Sequence, residues 1–523
     1  MEKHDVVVIG GGHNGLAMAA YLAKAGLDVC IAERLDKCGG GVLTEEVTLP
    51  GFKHDPFAVD HAIIQANPLI RNDELGLKSK YGLNYIAYSP GNAFIFPDDS
   101  ALVLYQDINK TCESISQFSE RDAEAYPKFL KSCEEMSMIL GEYMFGPPPS
   151  FGNMLSFLEA SEVGRDYLKL ILGSAMDVAE EWFESEEMKV ALLRHVGEIL
   201  ITPQQKGTGN FVFKFAGAAN GILIPEGGSG ALSVALEACA KDYGVSIKTS
   251  ISVKAIKIES GEAKGVVLDT GEEIIATKAV VSSLNVKQLF LDLLKPEEAP
   301  SGFQDKVRRL RQSYFITMKQ DIALNEAPKY KAGGDVDKAV LIRITPYMED
   351  LLRTFDDFSY GIPQTRDLGV GTPTLADPSR APEGKHILFI WQDEPYNLKD
   401  GGPSKWDEIK QEIIDGGLET IRQHTTNLGP ENILGRFART PLDLERYNPS
   451  WPTGEAGHIG GTLDQLFSNR PLPGWGNYRT PVKKLYMCGA STHPGPGVSG
   501  ASRAAVPVIM EDLGIDFRKV IAK

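Results

Sequence analysis

Apolar positions at the start of the chain switch between two periods. Val6-Val7-Val8-Ile9 is an unbroken apolar run, the mark of a strand buried on both faces, and it ends in Gly10-Gly11-Gly12. Leu16, Ala19, Ala20, Leu22 and Ala23 then recur at helical spacing until Gly26 stops them. Asp28 to Ala32 returns to a strand pattern that closes on Glu33. These periods predict a βαβ unit. A second helical stripe (Leu232, Ala235, Leu236, Ala238, Cys239) stops at Gly244 and leads into strand patterns over 245–248, 253–258, 266–268 and 273–281. Between these blocks, 109–140 reads as mixed-charge helix, and Pro147-Pro148-Pro149 breaks the chain. Further helical stripes follow around Phe151–Leu158 and Leu168–Met176. Strand patterns at 314–318, 340–344 and 387–391 predict a β-rich stretch between Ser313 and Trp391. A last apolar strand runs to Gly489 before a Gly/Pro loop and a helix starting near Ser499.

Composition narrows the function classes. The chain has 523 residues, enough for two or more folding units, with 54 basic and 70 acidic residues and a formal charge of −16. That balance argues against nucleic acid as a partner, which needs clustered cations to displace phosphate counterions. The six cysteines (Cys30, Cys38, Cys112, Cys133, Cys239, Cys488) are scattered without a C-x-x-C pair, so neither a dithiol redox centre nor a zinc ribbon is expected. No metal site is expected elsewhere. The first strand leaves no room for a signal peptide, and no apolar run reaches the roughly 20 residues of a spanning helix. A cytoplasmic protein is the expectation, and peripheral membrane contact stays compatible with the apolar helical stripes.

The glycine turn carries specific chemistry. In the register G-x-G-x-x-G, Gly10 permits the tight turn, Gly12 lets a pyrophosphate approach the backbone, and Gly15 lets the helix pack on the strand. His13 and Asn14 occupy the positions between. The helix N-terminus offers unpaired N–H groups and a partial positive charge to phosphate. Glu33 can accept hydrogen bonds from a ribose 2′-OH and would repel a 2′-phosphate.

The continuation Arg34-Leu35-Asp36-Lys37-Cys38-Gly39-Gly40-Gly41-Val42-Leu43-Thr44 makes the stretch from Val6 resemble the FAD-binding signature of the amine oxidase and phytoene desaturase superfamily. Many members follow the Gly-Gly pair with Arg; this chain has Gly41. The block Gly489-Ala490-Ser491-Thr492-His493-Pro494-Gly495-Pro496-Gly497-Val498-Ser499-Gly500 is similar to the desaturase signature that closes over the flavin. Read literally, Gly495 to Gly500 is a second G-x-G-x-x-G, but no strand feeds it directly. Residues 224–281 resemble the superfamily's middle FAD segment, in which a backbone amide near Val253 meets the adenine. Gly12-His13-Asn14-Gly15-Leu16, Gly39 to Glu46, Leu463-Asp464-Gln465-Leu466-Phe467 and Arg470-Pro471 resemble the branch of pyridine nucleotide-disulphide oxidoreductase domain proteins.

The resemblance implies an α/β fold: a Rossmann-type FAD-binding domain assembled from segments 1–70, 215–290 and 461–523. The helical segment 71–214 and a substrate domain over 291–460 make up an inserted α+β part. It implies FAD, bound by Gly10, Gly12, His13, Asn14, Gly15, Glu33, Arg34, Gly40, Gly41, Val42, Val253, Gly489, Gly497, Val498 and Ser499. The expected activity is hydride removal from a largely apolar small molecule. The electron acceptor (oxygen, quinone or nicotinamide) and the oligomeric state stay open. Two alternatives stand beside it: a redox-neutral isomerase using reduced FAD, and a non-catalytic FAD-binding interaction protein. No sequence-local catalytic constellation exists, as expected where the cofactor carries the chemistry. The candidates for taking a substrate proton are His54, His61 and His493.

Overall fold

The computed structural model describes residues 2–522, so the terminal residues of the first and last expected segments lie outside it. The strand Glu2–Ile9 is central to the first sheet. It lies parallel to Val29–Ala32 on one side and to Glu273–Ser282 on the other, and Ser246–Lys248 extends the sheet beyond Val29–Ala32. Glu273–Ser282 does two jobs along its length. Its first residues pair antiparallel with Glu262–Leu268, which pairs in turn with Val253–Glu259; its last residues run parallel to Leu485–Met487. The expected strand patterns over 253–281 are thus a meander grafted onto a parallel sheet.

The alternation of strand side chains sorts the core. Val6, Val8, Val29 and Ile31 face the helices His13–Lys24, Gly230–Asp242 and Ala501–Asp512. Val7, Ile9 and Cys30 face the opposite way, into a cluster with Ile256, Val266, Leu268 and Phe290. Both faces of the parallel strands are covered, which is why they read as unbroken apolar runs. Glu74 ties the helical layer together: it accepts from Tyr21 Oη at 2.6 Å and forms a two-point pair with Arg503 at 2.6 and 2.9 Å.

The second sheet has the order Ile433–Arg439, Phe315–Leu324, His386–Pro395, Leu368–Gly371, Leu341–Ile344, Asn92–Ile95, Ala101–Leu104. Asn92–Ile95 lies parallel to Leu341–Ile344, so the segment expected to be helical contributes two strands to this second sheet. One face of this sheet (Ile322, Leu324, Ile342, Leu368, Val370, Leu388, Ile390) packs on Leu418 and Ile421 of the helix Trp406–Gln423. The other face looks toward residues 54–61, the continuation of the glycine-rich turn, where Val59 packs on Leu341 and Phe389. The helices between Ile108 and Gly217 cover one end of the sheet through a separate core around Phe94, Phe129 and Phe215. Among the described residues no helix is long and apolar enough to cross a membrane.

Candidate active site

The helix His13–Lys24 starts at the tip of the first strand with Gly12 as its N-cap. Two glycines of the turn are required for different reasons. A Cβ on Gly15 would lie 1.9 Å from the carbonyl oxygen of Gly10, so packing alone fixes it. Gly12 has φ −67°, open to any residue, and an added Cβ would meet nothing closer than Gly40 Cα at 3.7 Å. The fold does not demand glycine there, and the open side leaves room for a ligand to approach the backbone. The cradle therefore fits a pyrophosphate on its own geometry.

Glu33 braces this loop. Its carboxylate accepts from Gly11 N at 2.6 Å and from Leu35 N at 2.7 Å. Each carboxylate oxygen has two acceptor sites, so ribose hydroxyls can share them. The backbone of Glu33 bonds Lys248 O and Ile251 N at 2.8 and 3.0 Å, which brings the start of the strand at Val253 beside the acid. The Gly39–Val42 turn docks against the first loop: Gly39 N donates to Gly11 O at 2.9 Å, and Ser233 Oγ donates to Val42 O at 2.7 Å. Gly40 takes a left-handed φ of +61° and lies against Gly12. At Gly41, where relatives carry Arg, the Trp451 ring lies 3.3 Å from an added Cβ, so an aromatic wall stands beside that position. Arg34 is exposed and donates to Tyr447 O at 2.6 Å.

The C-terminal block reaches the same place. Gly489 follows Leu485–Met487 and packs on Ser283, whose carbonyl would lie 2.3 Å from a Cβ there. The helix begins at Ala501, two residues past the expected Ser499, with Gly500 as N-cap. Asn67 Nδ2 holds the loop by donating to Ser499 O and Gly500 O at 2.8 and 3.1 Å. Val498 is buried in the helical core, and Gly497 is open. Ser502 N donates to Asn14 Oδ1 at 3.3 Å, which couples the N-termini of the first and last long helices. Two sets of unpaired N–H groups thus converge, a setting for the pyrophosphate and for the negative charge of a reduced flavin.

Arg470, a marker of one branch in the sequence, proves to be the clamp of this loop. It is fully buried and donates to the carbonyls of Ala490, Gly457, Ile459, Gly460 and Gln465. Burial pulls it down to about 10, and Glu455 acts against that shift. Its neighbours gave no local signal, because the carbonyls it serves belong to backbone.

The three candidate histidines are all buried. His54 is buried against Thr48 Oγ1 at 2.8 Å, and burial with the charges of Lys319 and Arg380 lowers it to about 3. His61 bonds Ser229 Oγ at 2.7 Å and Tyr85 Oη at 3.2 Å, and burial lowers it to about 3. His493 bonds Tyr143 O at 2.8 Å in the helical segment, and burial lowers it to about 4. Burial disfavours the charged form of each, and His493 Nδ1 has no hydrogen-bond partner among the described residues. His13 keeps accessible surface, its Nε2 has no partner among the described residues, and burial lowers it to about 4.

In the second sheet Thr317, Lys319 and Asp321 pair opposite Asp393, Trp391 and Phe389. Lys319 Nζ bonds the Asp55 carbonyl, pairs with Asp321 at 3.1 Å and stands 4.7 Å over the Phe389 ring. Burial lowers the Lys319 ammonium and raises the Asp321 carboxyl. Farther along the face, Arg343 pairs with Glu198 at 2.8 Å, and Lys214 bonds the same carboxylate. Lys319, Asp321 and Arg343 sit on strands, whereas Lys214 lies on a helix and Glu198 caps another, far away in the chain, so no local spacing announced the cluster.

The comparisons with known proteins agree with this geometry. An NAD(P)-binding Rossmann-like domain pattern matches residues 8–65, and the flavin-containing amine oxidoreductase pattern matches 148–320. Rat pyridine nucleotide-disulfide oxidoreductase domain-containing protein 2 is 32% identical, over 98% of this chain and 94% of its own. One subunit of the limonene dehydrogenase of Castellaniella defragrans is 28% identical over 99% of this chain and 96% of its own, and phytoene desaturases follow at lower identity. Among solved structures, an oxidoreductase from Methanosarcina mazei superimposes with TM-score 0.61 at 20% identity, covering 97% of this chain and all of that one. The chain is an FAD-dependent oxidoreductase of the phytoene desaturase and amine oxidase superfamily, and it belongs to the family of pyridine nucleotide-disulfide oxidoreductase domain-containing protein 2.

Proposed function

We propose that the chain dehydrogenates a largely apolar small molecule held between the glycine cradle and the substrate sheet. One observation carries the reading: the convergence of two helix N-termini on a cradle whose Gly12 leaves room for a ligand. FAD, when bound, supplies the acceptor for a hydride. Gly10, Gly12, Gly15 and Asn14 hold its pyrophosphate, Glu33 its ribose, Val253 its adenine side, and Gly40, Gly41, Val42, Gly489, Gly497, Val498 and Ser499 its ring side. Trp451 stands beside Gly41, and Phe57, edge-on to Trp451 at 4.8 Å, continues this aromatic wall, with the Arg439 guanidinium 5.2 Å over its ring. Trp391 keeps accessible surface in the middle of the opposing sheet, which suits an apolar substrate.

The relatives named for limonene and for phytoene support the same substrate class. We assign segments 1–70, 215–290 and 461–523 to cofactor binding and 71–214 with 291–460 to the substrate. Scattered, unpaired thiols suit a reducing cytoplasm. The test is anaerobic mixing of the FAD-loaded protein with limonene, and separately with phytoene in detergent. Bleaching of the flavin with a product two mass units lighter is the expected result. A product of unchanged mass would instead mark an isomerase.

A further inference from the structure

Asp60 lies where the two halves of the molecule meet. Two residues before it, Ala58 N donates to Gly41 O of the flavin turn at 3.3 Å; one residue after it, His61 N bonds Leu223 O at 3.1 Å. Val59 packs with Phe389 and Leu341 of the substrate sheet. The carboxylate has one hydrogen bond among the described residues, Ala62 N to Oδ1 at 3.1 Å, and no ion pair there. The other acids of this interior are engaged. Glu198 is held by Arg343 and Lys214, Asp321 by Lys319, Asp55 by Arg380, Asp367 by Arg194, and Asp393 accepts from Thr317 Oγ1. Asp60 also keeps accessible surface, although protein crowds it enough for burial to matter. Its neighbours on either side place it at the seam between the flavin turn and the second sheet.

Resting on the dehydrogenase reading above, we propose that Asp60 accepts the proton that the substrate loses alongside its hydride. The hydride leaves one carbon with its electron pair for FAD. The neighbouring C–H bond breaks, its proton passes to Asp60 Oδ2, and its electron pair becomes the new double bond. Oxidation of the substrate by two electrons is balanced by reduction of FAD, and the proton is balanced on the carboxylate. Burial disfavours the charged imidazolium that His54, His61 or His493 would become as acceptor.

The charge environment suits a base working near neutrality. Burial raises Asp60 to about 6; Lys214 on one helix and Arg343 on the sheet act against the rise, and Glu198 adds to it. His195, packed beside Glu198, is held neutral by burial. Asp60 is therefore ionised above about pH 6 and neutral below.

The test uses the FAD-loaded protein and Asp60→Asn, which keeps the hydrogen bond to Ala62 N and removes the acid. The midpoint potential of the bound flavin is measured from pH 4.5 to 8 by dye-coupled reduction, a readout that needs no substrate (about the range over which an acid of this pKa titrates). Ionisation near the ring must shift the potential, and by reciprocity reduction must shift the ionisation. The wild type is expected to show a break in slope near pH 6 that Asp60→Asn lacks and Asp60→Glu retains. With limonene as reductant, flavin bleaching in Asp60→Asn at pH 7.5 is expected to slow by about 10²-fold or more. The proposal falls if the wild type shows no such break or Asp60→Asn keeps it. A wild type that binds no FAD would sink the function itself, a separate outcome.

Discussion

Substituting Gly12 by alanine separates a ligand requirement from a folding requirement. The new methyl fits the protein, since its nearest neighbour is Gly40 Cα at 3.7 Å and φ −67° suits alanine. At an N-cap, alanine in place of glycine costs about 0.5–1 kcal/mol, a shift of about 2 °C or less in melting for a chain of this size. FAD binding is affected differently. The methyl stands on the side where the pyrophosphate must approach, holding it back from the backbone N–H groups of the helix N-terminus. Charge-assisted hydrogen bonds of this kind contribute about 1.5–3 kcal/mol each. Weakening two of them removes about 3 kcal/mol, about 10²-fold in Kd. Gly15→Ala is the control: its methyl would sit 1.9 Å from the Gly10 carbonyl, so the turn itself must move. The apoprotein of Gly15→Ala is expected to lose about 3 kcal/mol or more. Differential scanning fluorimetry of the apoproteins and fluorescence titration with FAD read both quantities. Wild-type affinity in Gly12→Ala, or an apoprotein that melts as early as Gly15→Ala, would refute the reasoning.

Other consequences follow from the same geometry. Glu33→Ala strands the Gly11 and Leu35 N–H groups, so the apoprotein is expected to lose about 1–3 kcal/mol in urea titration besides losing FAD affinity. Arg470→Lys cannot serve a fan of backbone carbonyls with a single ammonium; a loss of about 3 kcal/mol or more is expected in urea unfolding of the apoprotein. Glu74→Gln leaves the largely buried Arg503 guanidinium without its counter-ion, a cost of about 3–5 kcal/mol that Arg503→Met in the same chain should partly restore in a double-mutant cycle. Asp60 binds its proton more tightly folded than unfolded, so its contribution to stability falls as pH rises from about 4 through about 6. Asp60→Asn is therefore expected to match the wild-type urea midpoint less closely at pH 7.5 than at pH 4, with the variant relatively more stable at the higher pH.

The histidines show how far local reading reaches. His54 and His61 follow the flavin glycines in sequence and look available, yet each finds buried partners that no spacing announces: Thr48 for one, Ser229 for the other, 168 positions away. The short strands Asn92–Ile95 and Leu368–Gly371 were equally silent, being four residues long and defined by partners distant in the chain. Lys319-Gln320-Asp321 is a polar run inside an otherwise apolar strand, and only the approach of Asp55 and the surrounding burial make its two charges a buried pair.

The sequence by itself determined the cofactor. Phosphate binding at a strand–turn–helix junction is local chemistry, completed within about 25 residues, and glycines, helix start and acid must fall in one register. The second flavin block was legible for the same reason, since Gly489 to Gly500 is one continuous loop feeding a helix. Tertiary structure decided what surrounds that cofactor. It made Arg470 a clamp, tied Arg34 to the Tyr447 carbonyl, buried three histidines, and set Asp60 between the Gly41 turn and the second sheet. Those outcomes depend on burial and on charges brought together across hundreds of residues, and neither quantity is written in the spacing of neighbours.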